Sequence, residues 1–319
     1  MDEPRFVSFL QQRFPFRFGL GIGDDASAVR SGRVFQLVST DLLIEDIHFR
    51  LRDATMADLA EKALAVNVSD IAAMGGRPQY FYLGLGFPDR LSTSDLRRFF
   101  SGLARAARLW RVELAGGDYS RSAKMVISIT IVGESPKPVR RSGAQPGDWI
   151  GITGPTGRSA LGWKLLQAGR ARSPFIRCHQ HPRPQCRKGL RLSRYVHAMI
   201  DLSDGLLLDL SRVLRASRVG AEIDYGKLPV SRLFKKICRQ RGFPEKDLVL
   251  AGGEDYELLF TVSPAREKRL RRTKMGYHLI GRVTKGRALR VREHGRMLPV
   301  PRLGFDHFAE GGAGGRGKK

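Results

Sequence analysis

Seven acidic residues in this chain sit in settings that surface carboxylates seldom occupy. They are Asp25 in GIGDDASAV, Asp41 in STD, Asp70 in NVSDIAAMGG, Asp118 in AGGDYS, Asp201 and Asp204 in IDLSDGL, and Glu254 in GGEDYEL. Each has Gly, Ser, Thr or Ala close by, so a ligand can approach the carboxylate. Hard oxygen donors without a histidine or cysteine cluster point to magnesium. Seven converging carboxylates would repel one another unless several cations and a polyphosphate balanced them. That combination describes a phosphoryl-transfer site, where metals neutralise charge and align donor with acceptor. Asp24 and Asp25 are neighbours, so in an extended segment they face opposite ways and at most one enters such a site.

The element that must place Asp70 is a helix spanning 57–78. Thr55 and Asp58 form its N-terminal cap, and Gly75, Gly76 and Pro78 end it. Residues 63–74 are almost all small or apolar, which predicts burial, yet Asn67 and Asp70 lie three apart on one face. A buried carboxylate is costly unless it is paired or holds a metal. A single such Asp ordinarily caps a neighbouring loop; the recurrence of acidic motifs along the chain favours the ligand role.

Around this helix, the pattern predicts a helix at 3–14 and strands at 34–39, 79–87 and 124–132, with a basic amphipathic helix at 93–110. The acids then fall mostly at strand ends. Pro and Lys near 134–138 mark a boundary, giving an N-terminal domain 1–136, a C-terminal domain 137–308 and a disordered basic tail 309–319. In the second domain, GPTGRSALG is not a Walker motif, but the helix it opens offers an N-terminus able to hold an anion. A buried strand at 199–202 precedes a helix beginning at Ser203-Asp204-Gly205. N-capping by Asp204 would account for one acid of that pair but not for Asp201. The basic stretch 170–194 reads as a solvated loop. Its Cys178, His179, His181 and Cys186 sit close enough to suggest a zinc site, although their spacing matches no standard pattern and His181 is followed by proline. A lone histidine among apolar residues, such as His48, reads from its surroundings as a core residue.

Lys and Arg total 56 against 31 Asp and Glu, a net charge of +25. That balance favours polyanionic partners, nucleic acid or phosphorylated small molecules. No RNP, KH or zinc-finger pattern accompanies it, and no aromatic interleaving. A basic nucleic-acid-binding protein is the competing class, but the expectation is only weak, sequence-independent nucleic-acid binding at low salt. The acidic start predicts no signal peptide, no run predicts a membrane span, and three cysteines fit a reducing, cytoplasmic setting. A serine-hydrolase reading fails for want of a G-x-S-x-G elbow.

The ordered set GIGDDA, STD followed by HF, NVSDIAAMGGRP, GGD, RSGAQPGDWI, IDLSDGL and GGEDYEL resembles the thiamine-monophosphate kinases. These share a superfamily with aminoimidazole ribonucleotide synthetase, selenophosphate synthetase and a hydrogenase maturation protein. The resemblance runs from Gly19 to about Phe308. It implies an α+β fold of two mixed domains of the aminoimidazole ribonucleotide synthetase-like type, with the N-terminal sheet at a homodimer interface. It also implies ATP-dependent phosphorylation of thiamine monophosphate, the alternative being another ATP-dependent member of the superfamily. By matching motif, Asp25, Ser39, Thr40, Asp41, Asp70, Asp118, Asp201 and Asp204 would serve several Mg2+ ions. Gly117, Asp118, Arg141 and Ser203 would contact ATP. His48, Glu254 and Phe305 would line the thiamine site, which turns His48 from core residue to ligand. Tyr119-Ser120 departs from the two threonines usual there, and His181-Pro182-Arg183-Pro184 keeps only an echo of the family's His-x-Arg-Pro. No side chain is assigned as a general base.

Overall fold

A computed structural model of the chain describes residues 3–170, 172–299 and 303–304. Phe305 and the tail 309–319 therefore lie outside the described residues. The chain divides into two compact units. Residues 3–71 and 76–136 make the first; 72–75 and the described residues between 137 and 304 make the second.

In the first unit the order is α1 (Glu3–Arg13), β1 (Gly19–Leu20), β2 (Ser27–Ser31), β3 (Val34–Ile44), α2 (Met56–Ala73), β4 (Arg77–Phe87), α3 (Thr93–Trp110), β5 (Glu113–Arg121) and β6 (Val126–Ser135). The strands form one sheet in the order β1-β2-β3-β6-β4-β5, antiparallel except for the β4–β5 pair. Along β6, Ile127, Ile129 and Ile131 are buried and alternate with partly exposed Ser128 and Thr130, the period-two pattern of a sheet with one covered face.

Both long helices carry local stop and start signals. Thr55 and Asp58 exchange backbone-to-side-chain hydrogen bonds of 3.2 Å ahead of α2. A full capping box of Ser92 with Asp95 opens α3, and left-handed Arg111 closes it. Phe99, Gly102, Leu103 and Ala106 form the buried stripe of α3. Full burial of a side chain such as Phe99 stabilises by about 1.5–3 kcal/mol. Gly102 is required by the close approach to α2, because a Cβ there would stand 2.4 Å from the Ala57 carbonyl oxygen.

The second unit contains β7 (Trp149–Ile152), α4 (Arg158–Gln167), α5 (Pro174–Gln180), α6 (Cys186–Leu192), β8 (Ala198–Asp201), α7 (Leu206–Ser217) and β9 (Gly220–Asp224). After a 3-10 turn at Tyr225–Lys227 come α8 (Arg232–Arg241), α9 (Glu245–Ala251), β10 (Leu258–Val262), α10 (Pro264–Arg271), β11 (His278–Thr284), β12 (Leu289–Glu293) and β13 (Arg296–Met297). Its sheet runs β13-β12-β9-β11-β7-β10-β8. The inward leucines of α7 and the strand residues Ile150, Ile200 and Leu259 share one core.

Three expectations change. The strand predicted to stop at Ser39 continues to Ile44, pairing with β6 through Thr40↔Thr130 and Asp41↔Ile129. Asp41 and Asp118 thus lie inside strands, not at strand ends. The stretch 170–194 is not a loop: α5 and α6 form there, anchored by buried Phe175, Ile176 and Leu192. Among the described residues, no helix is long and apolar enough to cross a membrane.

Candidate functional site

In the first unit, β3 places Ser39 and Asp41 on one face and Thr40 on the other. Ser39 Oγ donates to Asp70 Oδ2 of α2 at 2.5 Å. Asn67, one turn earlier, accepts from the Asp41 backbone N–H (3.1 Å) and donates to the Ala63 carbonyl (2.9 Å). Asn67 is thus a strap between helix and strand, while Asp70 presents its carboxylate beside it. A carboxylate oxygen of Asp25, which is buried, lies within 4.8 Å of one from Asp70. Thr40 is exposed, and its hydroxyl lies 2.9 Å from that of Thr130, so this side chain does not join the Asp70 face.

Gly117 and Asp118 lie on β5, at the sheet edge and largely exposed. A Cβ at Gly117 would stand 2.0 Å from the Leu83 carbonyl oxygen, so the pairing with β4 itself demands glycine. Asp118 Oδ1 accepts from the Tyr119 N–H at 2.9 Å. His48 Nδ1 accepts from the Ile44 N–H at 3.0 Å. That bond fixes the neutral tautomer with its proton on Nε2.

The second unit brings IDLSDGL and GGEDYEL side by side. Asp201, buried, ends β8 opposite Leu258 of β10. Beyond it, the Glu254 N–H donates to the Ser203 carbonyl (2.7 Å) and the Tyr256 N–H to that of Leu202 (2.9 Å). Glu254 and Tyr256 both have positive φ, 64° and 51°, a conformation that costs a non-glycine residue about 1 kcal/mol or more. Glu254 Oε2 lies 3.0 Å from His179 Nδ1, which is also 2.9 Å from Ser159 Oγ. The Trp163 ring sits 5.4 Å from that imidazole.

The turn after Asp201 is not capped by Asp204. Gly205 is the N-cap of α7 and makes no side-chain cap bond. The backbone N–H groups of Asp204 and Gly205 instead donate to Asp209 Oδ2, each at 3.1 Å. Arg212 Nη1 donates at 2.6 Å to both Asp204 and Asp209. Burial, and then the neighbouring Asp204, push the Asp209 carboxyl up to about 7 against the pull of Arg212 and Arg141. The loop carrying Arg141 is held from both sides. Ser217 Oγ accepts from the Gly143 and Ala144 N–H groups. Asp148 Oδ2 accepts from Gln145 N–H and lies 2.9 Å from His197 Nδ1.

The anion at the start of α4 is the chain's own. Asp255 accepts from the backbone N–H groups of Gly157 (2.5 Å) and Ser159 (3.0 Å), so the glycine-rich loop offers these donors to a carboxylate 98 residues away. Burial raises Asp255 to about 7. Burial likewise raises the Cys178 thiol and takes Cys186 to about 11, which disfavours the thiolates a zinc site would need. Sequence reasoning missed Asp209 and Arg212, the pairing of His179 with Glu254 and Ser159, and the role of Asp255. Asp209, an acid amid the inward leucines of α7, left a visible signal that could have found it.

The AIR synthase related protein N-terminal domain model matches residues 23–135, and the C-terminal domain model matches 145–294. The chain is 34% identical over 310 residues to the thiamine-monophosphate kinase of Bacillus subtilis, covering 91% of this chain and 93% of that relative. It is 37% identical over 306 residues to the Escherichia coli K12 enzyme of the same name, covering 91% and 92%. The chain belongs to the thiamine-monophosphate kinase family. A solved structure of this family, AaThiL complexed with AMPPCP and TMP, superposes with a TM-score of 0.87 at 33% identity, covering 96% of this chain and 97% of that one. The fold of two mixed α/β domains expected from the motifs is the family fold.

Proposed function

We propose that this chain transfers the γ-phosphoryl group of ATP to thiamine monophosphate, giving thiamine diphosphate and ADP. The observation that carries this reading is the likeness, along nearly the whole chain, to a structure holding AMPPCP and TMP. The bond from the γ-phosphorus to the ADP oxygen breaks, and one to a phosphate oxygen of the acceptor forms. That acceptor oxygen is already ionised at neutral pH, so no side-chain base is needed. The main obstacle is repulsion between two anions, and positive charge held in place lowers it. Arg141 supplies such charge from a loop fixed by Ser217 and Asp148.

The donor set fits magnesium: Asp25 and Asp70 offer carboxylate oxygens within 4.8 Å of each other, with the Ser39 hydroxyl on Asp70. Asp25, Ser39, Asp41, Asp70 and Asp118 of the first unit, with Asp201 and Asp204 of the second, are the residues we assign to hold Mg2+. Thr40, whose hydroxyl faces Thr130 on the other side of the sheet, is kept in the set on its motif alone. Bound magnesium would neutralise phosphate charge. Gly117 and Ser203 join Arg141 on ATP, and His48 and Glu254 face thiamine. Exposed Leu114 and Tyr119 on the edge strand β5 support a homodimer through the first unit's sheet. Three free cysteines support a cytoplasmic setting.

The AIR synthase related description of both domains keeps one rival in play, a ligase-type synthetase. A coupled ADP-release assay with Mg2+ decides between them, run in parallel with thiamine monophosphate and with formylglycinamidine ribonucleotide. ADP release with thiamine monophosphate alone is expected; release with the ribonucleotide alone would overturn the reading.

A further inference from the structure

We infer that Asp209 and Arg212 of α7 are positioning residues that hold the Ser203-Asp204 turn in its nucleotide-binding shape. The inference rests on the kinase reading above for the identity of the nucleotide, and on the second unit's geometry for everything else.

The turn from β8 into α7 is pinned on one side by the Glu254 and Tyr256 N–H groups, which donate to the Ser203 and Leu202 carbonyls; its helix side is held by α7 itself. Gly205, its N-cap, has φ 120° and no side chain, so the donors at the start of α7 cannot be satisfied from the capping position. From within the helix Asp209 satisfies the N-cap N–H and that of the residue before it. Its Oδ2 accepts from the N–H groups of Asp204 and Gly205, and the side chain is fully buried among leucines. Its other oxygen accepts from Arg212, whose Nη1 reaches on to Asp204 Oδ2. One buried carboxylate therefore fixes the Asp204 backbone, and one guanidinium fixes the Asp204 side chain. Arg141, on its own anchored loop, is close enough for its charge to act on Asp209. The arrangement balances two acids against two arginines in a place where an unpaired charge would be costly. It also aims Asp204 before any ligand arrives, so less ordering remains to be done on binding.

Arg212 is the better handle, because its side chain is 14% exposed whereas Asp209 is fully buried. AMPPCP binding measured calorimetrically needs no turnover. We expect Arg212→Met to weaken AMPPCP affinity and raise the KM for ATP about tenfold, the worth of one charge-assisted hydrogen bond. The KM for thiamine monophosphate should change less than about twofold. Arg212→Lys, which keeps a charge able to reach one acid, should recover part of the loss. Thermal midpoints of both variants establish that the comparison is between folded proteins, and Arg212→Lys carries the test if Arg212→Met does not fold. Unchanged AMPPCP affinity in a folded variant would overturn the proposal, as would an equal rise in both KM values. Absence of thiamine monophosphate turnover in the wild type would sink the kinase reading, yet leave the AMPPCP comparison able to decide the role of Arg212.

Discussion

Ser39 Oγ and Asp70 Oδ2 are 2.5 Å apart, a bond that joins the middle of β3 to the last turns of α2. The hydroxyl donates to one oxygen of the carboxylate. Asp70→Asn keeps the shape and an acceptor but removes the charge. Turnover should drop by about a hundredfold or more, the loss of several kcal/mol of metal-linked stabilisation. The thermal midpoint should stay within a few degrees. Activity within about threefold of wild type would remove Asp70 from the magnesium set.

Glu254 is held by His179 in a backbone conformation that few glutamates adopt. If it faces the thiamine moiety, Glu254→Gln raises the KM for thiamine monophosphate and leaves that for ATP nearly unchanged. Steady-state kinetics with each substrate varied in turn reads this directly. The opposite pattern would mean that the two ligands are exchanged in our assignment.

Asp255 makes stability depend on pH. Its folded-state value of about 7 lies above the ordinary 3.8, so between those values the folded protein binds the proton more tightly than the unfolded chain does. The stabilisation from this group is complete below about pH 4 and is lost as pH rises toward about 7. Urea unfolding between about pH 5 and pH 8 should show stability falling with pH. In Asp255→Asn that slope should flatten, with an added loss of about 1–3 kcal/mol because an amide offers one acceptor oxygen to two backbone donors. An identical slope in the variant would show that Asp255 is already ionised at the low end of the range.

The excess basic charge, spread over helices such as α8 and α10, should bind labelled RNA weakly and without sequence preference. Binding should vanish by about 200 mM salt as counterion release loses its advantage. Tight binding to one sequence at higher salt would reveal a second functional surface. Removing the tail after Phe308 should leave kinase activity unaltered.

Both long helices of the first unit were legible because their signals are local: Thr55 with Asp58, three residues apart, for α2, and the amphipathic period for α3. The acidic motifs stood out for the same reason, each having Gly, Ser, Thr or Ala close by. The partners of those acids were hidden by distance along the chain. His179 meets Glu254, and Asp255 meets Gly157, only once the sheet and its helices have formed. Helices α5 and α6 were obscured by their charge, since a few apolar anchors such as Phe175 and Leu192 carry the packing. The strand β3 reads as ending at Thr40-Asp41 because polar residues look like a turn, yet its exposed and half-buried positions accommodate them.

Helix α7 works as a yardstick. Near its start, Asp209 and Arg212 grip the Ser203-Asp204 turn; at its end, Ser217 grips the loop that follows Arg141. From Asp209 to Ser217 the helix advances eight residues, about 12 Å. Adding one residue in between would rotate everything beyond it by about 100° and shift it by about 1.5 Å. Either grip could then be kept only by surrendering the other. The same addition at Gly169, where a side chain would meet nothing within 4 Å, should pass almost unnoticed. Length variation compatible with this fold is therefore a matter for its loops, and α7 is a segment whose residue count is as constrained as its residue types.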